Sequence, residues 1–208
     1  MRGGAGIIGG MMKKTRYSGL SFYQREKKAS KERVSRLISW IFTILLAIFL
    51  AFSGTLGFGI RTSIIGNSME PGLFNGQVVY IDRVIYKILE PRFGDVVCFY
   101  PNGNSNSHVF VKRVIAVPGD TVVIKDGTLY LNDKPMEDLF LDKIADPGIA
   151  SEPITVDFDE YFVMGDNCNS SEDSRSANLG KVSRQHIVGK AWLHMAGGDS
   201  GIGFIKGL

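Results

Sequence analysis

Residues 37–60, LISWIFTILLAIFLAFSGTLGFGI, run without a single charged side chain. As an α-helix they rise about 36 Å at roughly 1.5 Å per residue, enough to cross a hydrocarbon core of about 30 Å. A charge-free run of this length argues against a buried core helix. Nine Lys/Arg against Glu26 and Glu32 crowd residues 13–36, a local net of +7 on one flank only. That asymmetry predicts a basic, flexible cytoplasmic segment over 1–36, a transmembrane helix over 37–60 and an extracytoplasmic domain over 61–208. Trp40, near the cytoplasmic end, suits an interfacial anchor. The rival is a cleavable signal peptide, since AFS at 51–53 loosely fits a small-x-small site. Against it, the basic region is too long and the apolar run exceeds the usual length of about 7–15 residues.

The overall charge of +3 hides this division. From residue 37 onward the chain has fourteen basic and nineteen acidic residues, a net of −5. The main domain is therefore not expected to bind nucleic acid. Cys98 and Cys168 fall in the exported part, where a disulfide persists if their geometry permits one. Neither sits in a Cys-x-x-Cys or His-rich context, so no metal centre is predicted.

Beyond Arg61 the pattern changes to short runs rich in Val, Ile, Phe and Tyr, separated by Gly, Pro, Asn and Asp. Strands are expected at 77–84, 95–100, 108–117, 121–125, 128–132, 160–164 and 187–195. KDGT at 125–128 is a type I′ hairpin signal. Closely spaced strands with no helical pattern between them give a mainly β, antiparallel domain. The polar stretch 134–159 reads as a surface excursion. The tail AGGDSGIGFIKGL reads either as loose or, through Ile202, Phe204 and Ile205, as a shallow membrane contact.

Three stretches carry chemistry. In GNSMEPG, residues 66–72, Pro71 disfavours helix at Glu70, and Gly66 and Asn67 suit a turn. A serine there is ordinarily just solvated, and the Gly-x-Ser-x-Gly elbow is absent because Glu70 takes its last position. In HVFVKRVIAVPGD, residues 108–120, strand alternation puts His108, Phe110, Lys112, Val114 and Ala116 on one face. Lys112 is then either a solvated lysine on an edge strand or a desolvated amine. Burial lowers a lysine pKa by up to about 3–5 units, which makes a usable general base. In GDNCNSSEDSR, residues 165–175, a polar loop collects Asp166, Asn167, Ser171, Asp173 and Arg175. It is a surface loop or a brace for a base.

In order and spacing, SMEP, KRVIAVPGD and GDNCNSSEDSR behind one apolar anchor resemble the boxes of bacterial type I signal peptidases. The resemblance spans residues 37–195 and implies a membrane-bound serine endopeptidase with a Ser/Lys dyad. Its substrates would be exported preproteins and its surroundings the lipid bilayer; no cofactor is implied. Position by position, Ser68 would be the nucleophile and Lys112 the general base. Ser171 would position the amine, and Asp173 and Arg175 would brace its loop. Asp166 and Arg113 would form a supporting ion pair, Gly165 and Asn167 complete the loop, and Met69 and Pro71 shape the substrate cleft. Two departures stand out. Gly72 replaces a frequent Thr and is expected to loosen the turn. Gly66 replaces a serine that some members use in the oxyanion hole, leaving the Ser68 N–H and an amide near Gly66 as donors. The eukaryotic and archaeal branch has histidine where Lys112 stands. A membrane-tethered β domain that binds envelope partners without chemistry would explain anchor and strands, but not three ordered boxes.

Overall fold

The structure is a computed structural model that describes residues 20–58, 60–195 and 201–207. Residues 1–19 of the basic segment lie outside the described residues. Helix α1 runs from Leu20 to Phe58. It thus starts inside the basic segment, whose residues 20–36 are helical rather than irregular, and it stops before Ile60. The sequence explains the early start: QREKKASKERVSR, residues 24–36, is made almost entirely of good helix formers with no Gly or Pro. Between Arg33 and Ala51 the helix is long and apolar enough to cross a membrane, and none of that span is buried within the protein.

The β-rich unit forms in chain order β1 (Ile60–Ser63), β2 (Val78–Asp82), β3 (Val96–Phe99), β4 (Phe110–Ala116), β5 (Thr121–Lys125) and β6 (Thr128–Leu131). It continues with β7 (Lys134–Pro135), β8 (Ile154–Thr155), β9 (Glu160–Met164), β10 (Val182–Ser183), β11 (Ile187–Met195) and β12 (Gly203–Phe204). One sheet has the order β1-β2-β11-β3-β4-β9-β10, with β12 on β11; the other has β7-β6-β5-β8. All the pairings are antiparallel. The seven expected strands are all present. Asp126 and Gly127, at φ 53 and 77, close the expected hairpin between Lys125 and Thr128.

The stretch 134–159 is not merely a surface excursion. Ile144, Ala150 and Val156 are buried there, against Val122, Ile124 and Leu129 of the second sheet. Single apolar residues spaced through polar sequence show no period, which is why the pattern hid them. The tail is not loose over 203–207 either. Gly203 and Phe204 pair with β11, Ile205 N donates to the Trp192 carbonyl at 2.9 Å, and the Ile205 side chain meets the Met69–Leu73 core.

β3 and β4 lie at the centre of the large sheet and are buried along nearly their whole length. One face packs against Ile64, Met69, Leu73 and Val79, the other against Tyr161, Val163 and Val182. Lys112 therefore sits on a central strand rather than an edge. Cys98 and Cys168 are both buried and both free.

Candidate active site

Between β1 and β2 the chain makes a tight excursion that carries Ser68. Ile64 N donates to Gln77 O at 2.8 Å, and Gly76 N returns to Ile64 O at 2.9 Å, closing its neck. Leu73 N bonds Met69 O at 2.7 Å across its tip. Met69 and Leu73, each 1% exposed, pin the excursion into the core, so the half-buried Ser68 between solvent and core has a defined place. Gly66 N donates to Asn75 Oδ1 at 3.1 Å. That amide is engaged, so the expected second oxyanion donor is not the N–H of Gly66.

Lys112 is 4% exposed. Its Nζ donates to Ser171 Oγ at 3.0 Å and lies 5.9 Å from the centroid of the Phe110 ring, on the strand face that these alternate residues share. Burial is the largest influence on the amine and brings its pKa from 10.5 to about 8. The carboxylates of Asp173 and Glu172 oppose the drop, and Arg175 assists it. Ser68 and Lys112 open into one cleft of about 300 Å³, with Ile64, Met69, Val109 and Val111 as its apolar wall. His108 and Glu172 also border it.

The 165–175 loop holds Ser171 in place through buried charge. Arg175 donates to both carboxylate oxygens of Asp173, at 2.9 and 3.0 Å. It donates further to the carbonyls of Asp146, at 2.9 Å, and Cys168. Asp173 also accepts from Gly165 N at 3.2 Å, and Ser174 Oγ from Val163 N at 2.9 Å, tying the loop to β9. The same loop grips the serine turn directly: Asn167 N donates to Ser68 O at 3.1 Å. Gly165 lies so near that a Cβ there would sit 2.2 Å from Ser68 O and 2.5 Å from Ser171 Oγ. Only glycine permits that approach.

Arg113 makes a bidentate pair with Asp166, 2.7 Å in each contact, and its Nη1 reaches the carbonyls of Gly94 and Lys206 at 2.9 and 3.0 Å. A Cβ at Gly72 would lie 2.4 Å from Asp166 Oδ2, so its absence lets this ion pair approach the serine turn.

The expected site residues Ser68, Met69, Lys112, Ser171, Asp173, Arg175, Asp166, Arg113 and Asn167 thus form one connected set. Pro71 does not line the cleft; it is exposed and follows a cis bond after Glu70. The sequence reading missed the cleft-side carboxylate of Glu172, although it adjoins Ser171, and the tail carbonyl of Lys206, for which no local pattern exists. Among the described residues no cluster of His, Cys, Asp or Glu is placed to hold a metal.

A buried lysine, a serine in the same cleft and a braced polar loop on an antiparallel scaffold describe a hydrolase site. Residues 37–196 match the family described as signal peptidase, peptidase S26. The chain belongs to that family and is a serine peptidase. It is similar to signal peptidase I P of Bacillus subtilis subsp. natto, 34% identical over 173 residues that cover 76% of this chain and 89% of that one. It is also similar to signal peptidase I T of Bacillus subtilis (strain 168), 33% identical over 171 residues, 78% of this chain and 87% of that one. A crystal structure of a signal peptidase I from Enterococcus faecalis V583 matches over 97% of its own chain and 50% of this one, at 29% identity and a TM-score of 0.37.

Proposed function

We propose that this chain removes signal peptides from exported preproteins at the outer face of the cytoplasmic membrane, with Ser68 as nucleophile and Lys112 as general base. The observation that carries the reading is the dry Lys112 amine, bonded to Ser171 and facing the cleft that Ser68 also lines. With one N–H given to Ser171, the neutral amine keeps its lone pair for the Ser68 hydroxyl. Ser68 Oγ attacks the scissile carbonyl and its proton passes to Lys112. The Ser68 N–H stabilises the oxyanion, and Lys112 then protonates the departing amine. Water activated by Lys112 hydrolyses the acyl-enzyme. The apolar wall of Ile64, Met69, Val109 and Val111 suits the small residues that precede a signal-peptide cleavage site.

The apolar part of α1, from Leu37 onward, serves as the membrane anchor, with residues 1–36 cytoplasmic and those from Arg61 outside. Ser68 then lies at most about 25 Å along the chain from Arg61, within reach of the end of a substrate's own apolar segment.

Cleavage of a preprotein in detergent tests the assignment. Ser68→Ala and Lys112→Ala abolish processing, while His108→Ala, His186→Ala and His194→Ala retain most of it. Activity retained in Lys112→Ala and lost in His108→Ala would overturn the dyad in favour of a Ser–His enzyme. No cleavage by the folded wild-type chain would favour a tethered binding domain instead.

A further inference from the structure

β1 opens at Ile60, just after α1 ends at Phe58, and runs to Ser63, where the cleft that holds Ser68 begins. A second, larger groove of about 770 Å³ lies over the first part of the same strand, on Ile60, Arg61 and Thr62. Val109, just before β4, borders both spaces, and the consecutive residues Thr62 and Ser63 line one each. The cleft and the groove are therefore neighbours along β1, with the groove on the part of the strand nearer α1 in the chain. An extended peptide laid beside β1 passes from one into the other.

The groove is cationic. Arg61, Arg83, Lys87 and Arg184 line it, and Asp159 is the one carboxylate among the described residues on its wall. Arg184 is already engaged: it donates to Glu90 at 3.3 Å and to the carbonyls of Tyr86 and Leu89, and it lies 3.8 Å from Asp159. Arg61, Arg83 and Lys87 are exposed and, among the described residues, have no ion pair. Asp82, beside Arg83 in the chain, is turned to the N–H groups of Val84 and Ile85. Three uncommitted cations thus gather on a domain whose sequence carries the opposite net charge, −5 from residue 37 onward.

We propose that this groove extends the substrate cleft and selects preproteins that carry an acidic side chain a few residues before the scissile bond. The proposal rests on the reading that the chain cuts signal peptides outside a membrane spanned by α1. A substrate's apolar segment shares that bilayer, so the polar stretch leading from it to the scissile bond passes the start of β1 before it reaches Ser68. Arg61 lies at most about 25 Å along the chain from Ser68. An extended peptide covers that distance in roughly seven or eight residues. An Asp or Glu within that stretch meets Arg61, Arg83 and Lys87, whereas a Lys or Arg is repelled. The contact is remote from the reacting carbonyl and the same before and during reaction, so it acts on KM and leaves kcat alone. A free carboxylate offers the same charge but takes no share of the cleft, so the occupant is the preprotein.

The test uses the full chain in nonionic detergent and peptides that span one cleavage site. Asp, Asn or Lys is placed in turn at each position from the fourth to about the eighth before the scissile bond. At the position that faces the groove, the Asp peptide has a KM about fivefold below that of the Asn peptide at low salt. The Lys peptide lies above both, and kcat is the same for all three. Salt near ~1 M removes the difference. Arg83→Gln with Lys87→Gln abolishes the preference, and Arg83→Glu with Lys87→Glu reverses it in favour of Lys. Both double variants cut the Asn peptide at the wild-type rate, which shows that they fold. Equal KM for the Asp and Asn peptides at every position overturns the proposal, as does an Asp preference that survives the charge reversal. Fluorescence anisotropy of labelled peptides on the Ser68→Ala chain reads the same ratio as an affinity, without turnover. Free aspartate does not displace them; displacement by it at the peptide's own concentration would mean a simple anion site and overturn the proposal. Failure of the underlying reading looks different: the wild-type chain then leaves even the Asn peptide uncut, while anisotropy still reports whether the groove prefers Asp. A chain that cuts the Asn peptide yet ignores Asp overturns only the groove.

Discussion

Lys112 Nζ donates to Ser171 Oγ over 3.0 Å, joining residues 59 positions apart in the chain. The contact orients an amine that burial has already brought to a pKa of about 8. If the neutral amine is the base, its population rises with pH until that value is passed. The rate constant kcat/KM for preprotein cleavage should therefore rise roughly tenfold per pH unit below the lysine pKa and level above it. A pH–rate profile on folded enzyme checks this; a plateau already reached near the range of an ordinary histidine would contradict it.

The same burial carries a stability cost. The unfolded chain holds the Lys112 proton up to about 10.5 and the folded chain only to about 8, so the unfolded state binds more protons between those values. Stability therefore rises with pH across that window, and below it the folded state bears the full cost of the buried ammonium, up to about 3 kcal/mol. Lys112→Met should be inactive yet more stable than wild type at neutral pH, with the difference shrinking towards alkaline pH. Thermal or chemical unfolding at several pH values measures it.

The large elements were readable because their signals are local. VVCF and FVKRVIA are dense in β-branched and aromatic residues, and Asp-Gly at 126–127 fits its hairpin without tertiary help. The Ser68, Lys112 and Ser171 stretches were legible as ordered boxes, and Lys112 was marked further by its apolar neighbours. What the sequence could not show depends on close approach in space. Gly72 looked like a weak turn residue because nothing nearby in the chain reveals Asp166 at its back. Ile144 and Ala150 have no period, and β12 is two residues long, so their burial and pairing come from tertiary context. The Lys206 carbonyl on Arg113 belongs with them.

Gly72→Thr, which restores the residue frequent in related enzymes, should destabilise this one. Its Cβ would meet Asp166 Oδ2, and the Asp166–Arg113 pair must give way. The expected loss is about 1–3 kcal/mol, as for other overpacked sites. Denaturant unfolding of the single variant is sufficient, and an unchanged or higher midpoint would show that the pair yields without cost.

Gly165→Ala should lower catalysis as well as stability, so its kinetics are read on the folded fraction. The added methyl pushes the Ser68 carbonyl away from Ser171 Oγ, separating the serine turn from the loop that orients the lysine. A displacement near 1 Å lowers kcat on the order of 10²-fold. Single-turnover cleavage of a preprotein, compared with substrate affinity, would show the fall in the chemical step rather than in binding. A variant with wild-type kcat would mean that the two loops can part without disturbing the reacting groups.

Glu172→Gln should move the pH profile towards acid. Glu172 borders the cleft, and its negative charge favours the ammonium form of Lys112. Removing that charge while keeping the side chain's shape lowers the lysine pKa further, so the neutral base appears at lower pH and the rising limb shifts with it. The plateau rate stays near wild type, because the amide leaves the contact between Lys112 and Ser171 in place. The measurement is the midpoint of the kcat/KM profile at low salt, repeated at high salt, where screening of this exposed carboxylate should shrink the difference between the two enzymes. A midpoint that moves towards alkali, or one that does not move at low salt, would show that Glu172 does not govern the proton on Lys112.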